Sequence, residues 1–343
     1  MAGHDTRLLP RNLRKKNVKP HLHLHVGLGK CASTSLQAFL ATHRDVLRAR
    51  GLDYPDLGTG LAGNMTAYAL SQRPPEARWG ARQFDFDTAR ERLNAALERS
   101  PCPNVLLSSE ALTHPEHMLD LGWLYDAFRS VTVHLILRPR AAWLVAVYAQ
   151  MVRAAGLHTD LNAFLDSTIV REGAQFARIL QFWRASAGQD AVTLHMLRPQ
   201  DLPIIDRVLH SIVPGVDLPD GAARRRNVTP SAFVIVAQAY AHQCALAGAS
   251  PGPDNVAAMA ARFDPDPSLS LLSTEVVRRI DAQFATDTTR FVNMQDVVTR
   301  ADIEMTQGQT LPSGVTFDQV LAMPAFGDFA KCAGLPVPNG RGA

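Results

Sequence analysis

His21-Leu22-His23-Leu24-His25-Val26-Gly27-Leu28-Gly29-Lys30-Cys31-Ala32-Ser33-Thr34-Ser35-Leu36-Gln37 is the stretch from which the fold of this chain can be read. From His21 to Val26, imidazole and aliphatic residues alternate strictly, the period of a strand with two different faces. Gly27 and Gly29 break that alternation. Leu36, Phe39, Leu40, His43 and Leu47 then recur at helical spacing, and Gly51 ends the run. A strand, a glycine-containing loop carrying a lysine and hydroxyls, and an amphipathic helix together predict a phosphate cradle, because free N–H groups at a helix start attract an anion. The HxHxH run brings three imidazoles to one strand face. No Asp or Glu stands nearby in sequence to orient the rings, so no metal site is expected there.

Spacing narrows the phosphate chemistry. A Walker A loop requires G-x-x-x-x-G-K-[ST], yet Leu24 occupies the first glycine position and Cys31 follows Lys30, so the hydroxyl that binds Mg²⁺ is missing. No later apolar strand ends in the carboxylate of a Walker B motif: Asn104 to Ser108 runs into Ser109 and Glu110, and Val131 to Leu137 runs into Arg138. An ordinary P-loop NTPase or kinase is therefore disfavoured.

The stretch from His25 to Gln37 resembles the 5′-phosphosulfate loop of the superfamily of sulfotransferases that use 3′-phosphoadenosine 5′-phosphosulfate (PAPS), whose pattern is H-x-G-x-P-K-[TS]-[GA]-[ST]-T-[ST]-L-Q. The lysine, the hydroxyl residues after it and the Leu-Gln pair match; Gly29 replaces a common proline and Cys31 a common hydroxyl residue. The resemblance implies a P-loop-like sulfotransferase fold, with PAPS as donor, adenosine 3′,5′-bisphosphate as product and no metal. It implies further that Lys30, Cys31, Ala32, Ser33, Thr34 and Ser35 cradle the 5′-phosphate, with Lys30 catalytic.

Two further blocks extend the resemblance. Val131 to Leu137 is followed by Arg138 and Pro139 and then by Trp143, Leu144 and Tyr148; in the family such an arginine grips the 3′-phosphate, helped by a serine eight residues later. Ala146 stands in that serine's place. Arg224, Arg225 and Arg226 precede an apolar run from Ser231 to Ala245, and in the family a late basic segment folds over the 3′-phosphate and adenine, which makes Arg225 and Arg226 candidate donor contacts. The loop's Leu-Gln continuation is similar to the carbohydrate-type and broad bacterial branches, which implies a hydroxyl of a carbohydrate or glycoconjugate as acceptor. A non-catalytic nucleotide-binding protein, motivated by Ala146, is the alternative.

An alcohol acceptor must lose a proton. Glu110, just past the strand from Asn104 to Ser109, is expected on the same carboxyl edge of the sheet as the phosphate loop and is the first candidate base. Capping the next turn or pairing with an arginine is the equal alternative for it, and His114 and His117 are weaker candidates. Further buried strands are read at Asn104 to Leu107 and Ala191 to Leu197, with an amphipathic helix through Phe176, Ile179, Leu180, Trp183 and Ala187 between strands. This βα alternation predicts an α/β fold, a central parallel β-sheet flanked by helices.

Residues 1–19 carry six basic side chains and little apolar periodicity, so a flexible basic tail is expected, then one sulfotransferase domain over 20–305 and a loop-rich extension over 306–343. The stretch from Ala247 to Pro267, rich in Gly and Pro, reads as an exposed connection. The net charge of +3 excludes a polyanion binder of the histone kind, and no nucleic-acid partner is expected. Four cysteines without CxxC pairing and the absence of any apolar run long enough to span a bilayer predict a cytoplasmic protein without a transmembrane segment.

Overall fold

The structure of the protein, a computed structural model, describes residues 18–58, 70, 78–79, 82–83, 86–113, 120–198, 203–215, 229–249, 253–305 and 314–338. Its strands in chain order are β1 (His21–His25), β2 (Leu52–Asp53), β3 (Arg78–Trp79), β4 (Arg82–Gln83), β5 (Asn104–Ser108), β6 (Ser130–Leu137) and β7 (Val192–Met196). β3 and β4 form a small antiparallel hairpin; the other five build one sheet in the order β2-β5-β1-β6-β7, parallel throughout. Helices flank the sheet, and the α/β arrangement expected from the alternating elements is the one observed.

β1 is central, and its register sets His25 level with Ser108 on β5 and His134 on β6. The chain leaves β1 towards β2 and β5 on one side and later crosses to β6 and β7 on the other, so the carboxyl end of β1 lies at the switch point where open α/β sheets form a crevice. The strand is followed by α1 (Ser33–Thr42) and α2 (Arg44–Ala49), with Gly51 in the left-handed region that closes the second helix.

The two faces of β1 differ in chemistry and not in exposure. Leu22, His23, Leu24 and His25 are all buried, because helices cover both sides of a parallel sheet. The imidazoles satisfy one another across strands: His23 Nδ1 lies 2.9 Å from His134 Nε2, and His134 Nδ1 lies 3.0 Å from His195 Nε2. His25 Nδ1 bonds the Ser108 hydroxyl at 2.8 Å, which also accepts from Gln37 Nε2 at 3.1 Å. Each contact between two ring nitrogens needs one donor and one acceptor, so adjacent rings of the ladder cannot both be charged, and burial favours the neutral form of each.

Burial pushes His23 and His195 down to about 4 and His25 to about 3, with His21 adding to the effect on His23, Arg207 to that on His195 and His195 to that on His25. Folded values below the ordinary 6.5 mean that the unfolded chain takes up protons first as the pH falls. The stability is thus fully present above pH 6.5 and drains away as the pH drops towards 4, by roughly 1.4 kcal/mol per pH unit for each such histidine. Urea unfolding at about pH 7 and about pH 5 is expected to show a steep loss; equal unfolding free energies at the two values would contradict the neutral ladder.

Three helices meet at Arg140, which opens the helix Arg140–Ala155 and is 1% exposed. Its guanidinium donates to Asp287 Oδ2 and Thr288 Oγ1, each at 2.5 Å, and lies over the rings of Phe176 and Phe284. Asp287 also accepts from the amides of Phe176 and Ala177, at 3.0 and 3.2 Å. The helix Phe176–Ala187 has no side-chain cap from its own N-cap residue, and Asp287, from the helix Ala285–Asn293, supplies that anion from a distance in sequence.

Two stretches differ from expectation. The segment read as loop-rich contains the helices Phe317–Leu321 and Pro324–Cys332, and Phe326 and Phe329 pack their fully buried rings against Phe233. The connection read between Ala247 and Pro267 likewise contains the helix Pro253–Phe263. Both readings rested on proline, yet Pro324 and Pro253 begin their helices, where the missing N–H has no partner to lose. At the other end, Lys19 is fixed, its ammonium donating to the Asp126 carbonyl at 2.6 Å, while residues 1–17 of the expected tail lie outside the described residues. Among the described residues no helix is long and apolar enough to cross a membrane.

Candidate functional site

Three neighbouring strand ends carry the candidate residues to one edge of the sheet: Glu110 after β5, the loop Val26 to Ala32 after β1, and Arg138 after β6. Pairing with β6 continues past β1, through Val26 N to His134 O at 3.1 Å, Ile136 N to Gly27 O at 2.7 Å and Leu28 N to Ile136 O at 2.9 Å. On the other side Ser109 N donates to His25 O at 2.9 Å. The loop is therefore clamped between both neighbours before it turns.

The Glu110 turn presses against the loop backbone. The Thr113 hydroxyl, 1% exposed, lies 2.8 Å from the carbonyls of both Val26 and Glu110. Gly27, at φ +111°, has to be glycine, since a Cβ there would collide with that hydroxyl. A Cβ on Gly29 would stand 3.9 Å from the Glu110 carboxyl, which measures how closely this side chain approaches the loop.

Beyond Gly29 the chain winds through two left-handed non-glycine residues, Lys30 at φ +61° and Ala32 at φ +67°. Such conformations cost on the order of 1–2 kcal/mol each and persist where surroundings impose them. The Gly29 carbonyl accepts from Trp143 Nε1 at 2.8 Å, the Lys30 carbonyl accepts from Arg138 Nη1 at 3.3 Å, and Cys31 N and Ser33 Oγ both donate to the Leu28 carbonyl, at 3.3 and 3.0 Å.

This winding sorts the predicted loop residues into two groups. Cys31 and Ser33 point inward; Cys31 is fully buried, its thiol pushed up to about 12 by that burial, and its side chain offers nothing to a ligand. Lys30 and Ser35 are half-buried and Thr34 is exposed. The amides of Ser33, Thr34 and Ser35 open α1, whose N-cap Ala32 supplies no side-chain acceptor and whose first turn has no acidic residue. A helix start that its own N-cap residue leaves without a side-chain acceptor, beside a lysine, fits the anion cradle expected from the loop's composition.

Charge at the site is coupled. Burial lowers the Lys30 ammonium's pKa, the Glu110 carboxylate opposes that, and Arg153 adds to the lowering. Glu110 is raised by burial, against the Ser33 hydroxyl and Lys30, which favour its ionised form. A carboxyl raised by burial and held beside a lysine suits a proton acceptor. Ala146, where the resemblance implies a serine, is buried and brings no polar atom. Arg225, Arg226, His114 and His117 lie outside the described residues. Sequence reasoning missed the roles of Trp143, Thr113 and Arg153, and only Trp143 stood in a motif at all.

A scan against protein-family models gives no match, and a search of curated proteins gives none. Among solved structures, the crystal structure of a sulfotransferase from Alicyclobacillus acidocaldarius is similar at 15% identity and a TM-score of 0.43, over 81% of this chain and 96% of that one. So distant a likeness transfers neither activity nor donor to this chain.

Proposed function

We propose that the protein transfers a sulfuryl group from PAPS to a hydroxyl of an acceptor, a carbohydrate or glycoconjugate, by in-line displacement without a metal. The observation that carries this reading is the convergence of Lys30, the amino-terminal end of α1, Glu110 and Arg138 on three adjacent strand ends. In this reading the loop amides with Thr34 and Ser35 bind the 5′-phosphate, and Arg138 and the segment of Arg225 and Arg226 bind the 3′-phosphate.

The acceptor oxygen forms a bond to sulfur as the bond from sulfur to the bridging phosphate oxygen breaks. Negative charge grows on that bridging oxygen, and Lys30 neutralises it. The acceptor proton passes to Glu110, and adenosine 3′,5′-bisphosphate leaves. A cation fixed in the loop supplies the charge compensation that nucleotide kinases partly delegate to Mg²⁺, consistent with Cys31 standing where a Mg²⁺-binding hydroxyl would be needed.

The buried Ala146 favours a second reading, donor binding without transfer. Incubation with PAPS, a chelator and a panel of mono- and oligosaccharides separates the two by release of adenosine 3′,5′-bisphosphate. Acceptor-dependent release that survives the chelator is expected; intact PAPS with every acceptor, while the bisphosphate still binds, would favour the second reading.

A further inference from the structure

We infer that Trp143 is a positioning residue of this site, whose indole N–H holds the Gly29 carbonyl and so fixes the direction of the Lys30 amide and the left-handed turn at Lys30. The inference rests on the proposed donor site. A trans peptide is planar, with its C=O and the following N–H pointing in opposite directions, so pinning the Gly29 oxygen aims the Lys30 N–H away from the indole. The torsions of Lys30 lie between two peptide groups, and both are held: the Gly29 carbonyl by Trp143 Nε1 at 2.8 Å and the Lys30 carbonyl by Arg138 Nη1 at 3.3 Å. Lys30 carries a β-carbon at φ +61°, a conformation that reverts to the right-handed or extended region unless neighbours impose it.

Trp143 is itself firmly placed. It is 5% exposed, sits in the first turn of the helix Arg140–Ala155 with its own amide on the Pro139 carbonyl at 2.9 Å, and meets the ring of Phe176 edge to face. Phe176 in turn lies under the Arg140 guanidinium. The indole thus links the loop to the buried junction of Arg140 and Asp287, and the loop inherits its geometry from that rigid support.

The test separates a positioning role from plain packing. Binding of adenosine 3′,5′-bisphosphate and of 3′-AMP, which lacks the 5′-phosphate, is measured calorimetrically with a chelator present for the native protein, for Trp143→Phe, and for a protein carrying 3-benzothienylalanine at position 143. The last keeps the shape of tryptophan and removes only the N–H, so it keeps the test open if the smaller phenylalanine weakens folding. Both variants are expected to bind 3′-AMP as the native protein does and to lose about five- to tenfold of the preference for the bisphosphate. An unchanged preference in the isostere would overturn the inference, as would an equal loss for both ligands. Equal affinity of the native protein for the two ligands would instead remove the 5′-phosphate site itself, and the inference with it.

Discussion

Asp287→Ala is expected to lower the unfolding free energy by about 3–5 kcal/mol, the cost of stranding a buried charge without its partner. The change strips the carboxylate from a guanidinium that is 1% exposed and leaves the amides of Phe176 and Ala177 without their acceptor. Burial already works against both charges, lowering Arg140 to about 10 and raising Asp287, with the partner and the two amides opposing the shift at Asp287. A pair of this kind costs little to replace as a unit and much to break. Asp287→Asn, which keeps one acceptor oxygen, is therefore expected to lose less than Asp287→Ala, and Arg140→Met combined with Asp287→Leu to regain much of the loss. Urea unfolding of these three variants, and of Arg140→Met and Asp287→Leu singly, checks the order; a double-variant loss equal to the sum of its two single losses would show that the two side chains do not act as a pair.

Lys30→Ala is expected to lower the rate of adenosine 3′,5′-bisphosphate release at saturating PAPS by roughly 100- to 1,000-fold, with little change in stability. Removing one preorganised charge from the developing oxyanion costs that much in enzymes that rely on electrostatic stabilisation, and Lys30 is half-buried and so little screened. The same substitution removes the charge that favours ionised Glu110, so the pKa of Glu110 rises further above its ordinary value. The acidic limb of the rate profile, along which the base loses its proton, then moves to higher pH. A Lys30→Ala rate within a factor of about three of the native rate would rule Lys30 out as the group that neutralises the leaving phosphate.

Much of the fold could be read from local pattern, because strand, loop and helix around Lys30 each announce themselves within a few residues. The convergence of Glu110, Lys30 and Arg138 was legible for the same reason: each follows an apolar strand, and parallel strands bring their carboxyl ends to one edge. What lay hidden depends on contacts distant in sequence. Trp143 reaches Gly29 across 114 positions, and Asp287 caps a helix that starts 111 positions earlier. The alternation of β1 implied two faces without revealing that both are buried, since the hydrogen-bond partners of its histidines come from the neighbouring strands β5 and β6. The C-terminal helices were masked by prolines that end a helix from within but begin one at its first turn. That Cys31 and Ser33 turn inward while Lys30 and Thr34 do not follows from two left-handed residues that no propensity rule foresees.

Calorimetric titration of the native protein with adenosine 3′,5′-bisphosphate and with 5′-AMP, in the presence of a chelator, tests the proposed donor site most directly. The bisphosphate is expected to bind without metal and at least about tenfold more tightly than 5′-AMP, reflecting charge-assisted contacts to the 3′-phosphate. No binding, equal affinity for the two nucleotides, or binding that appears only with Mg²⁺ would contradict it.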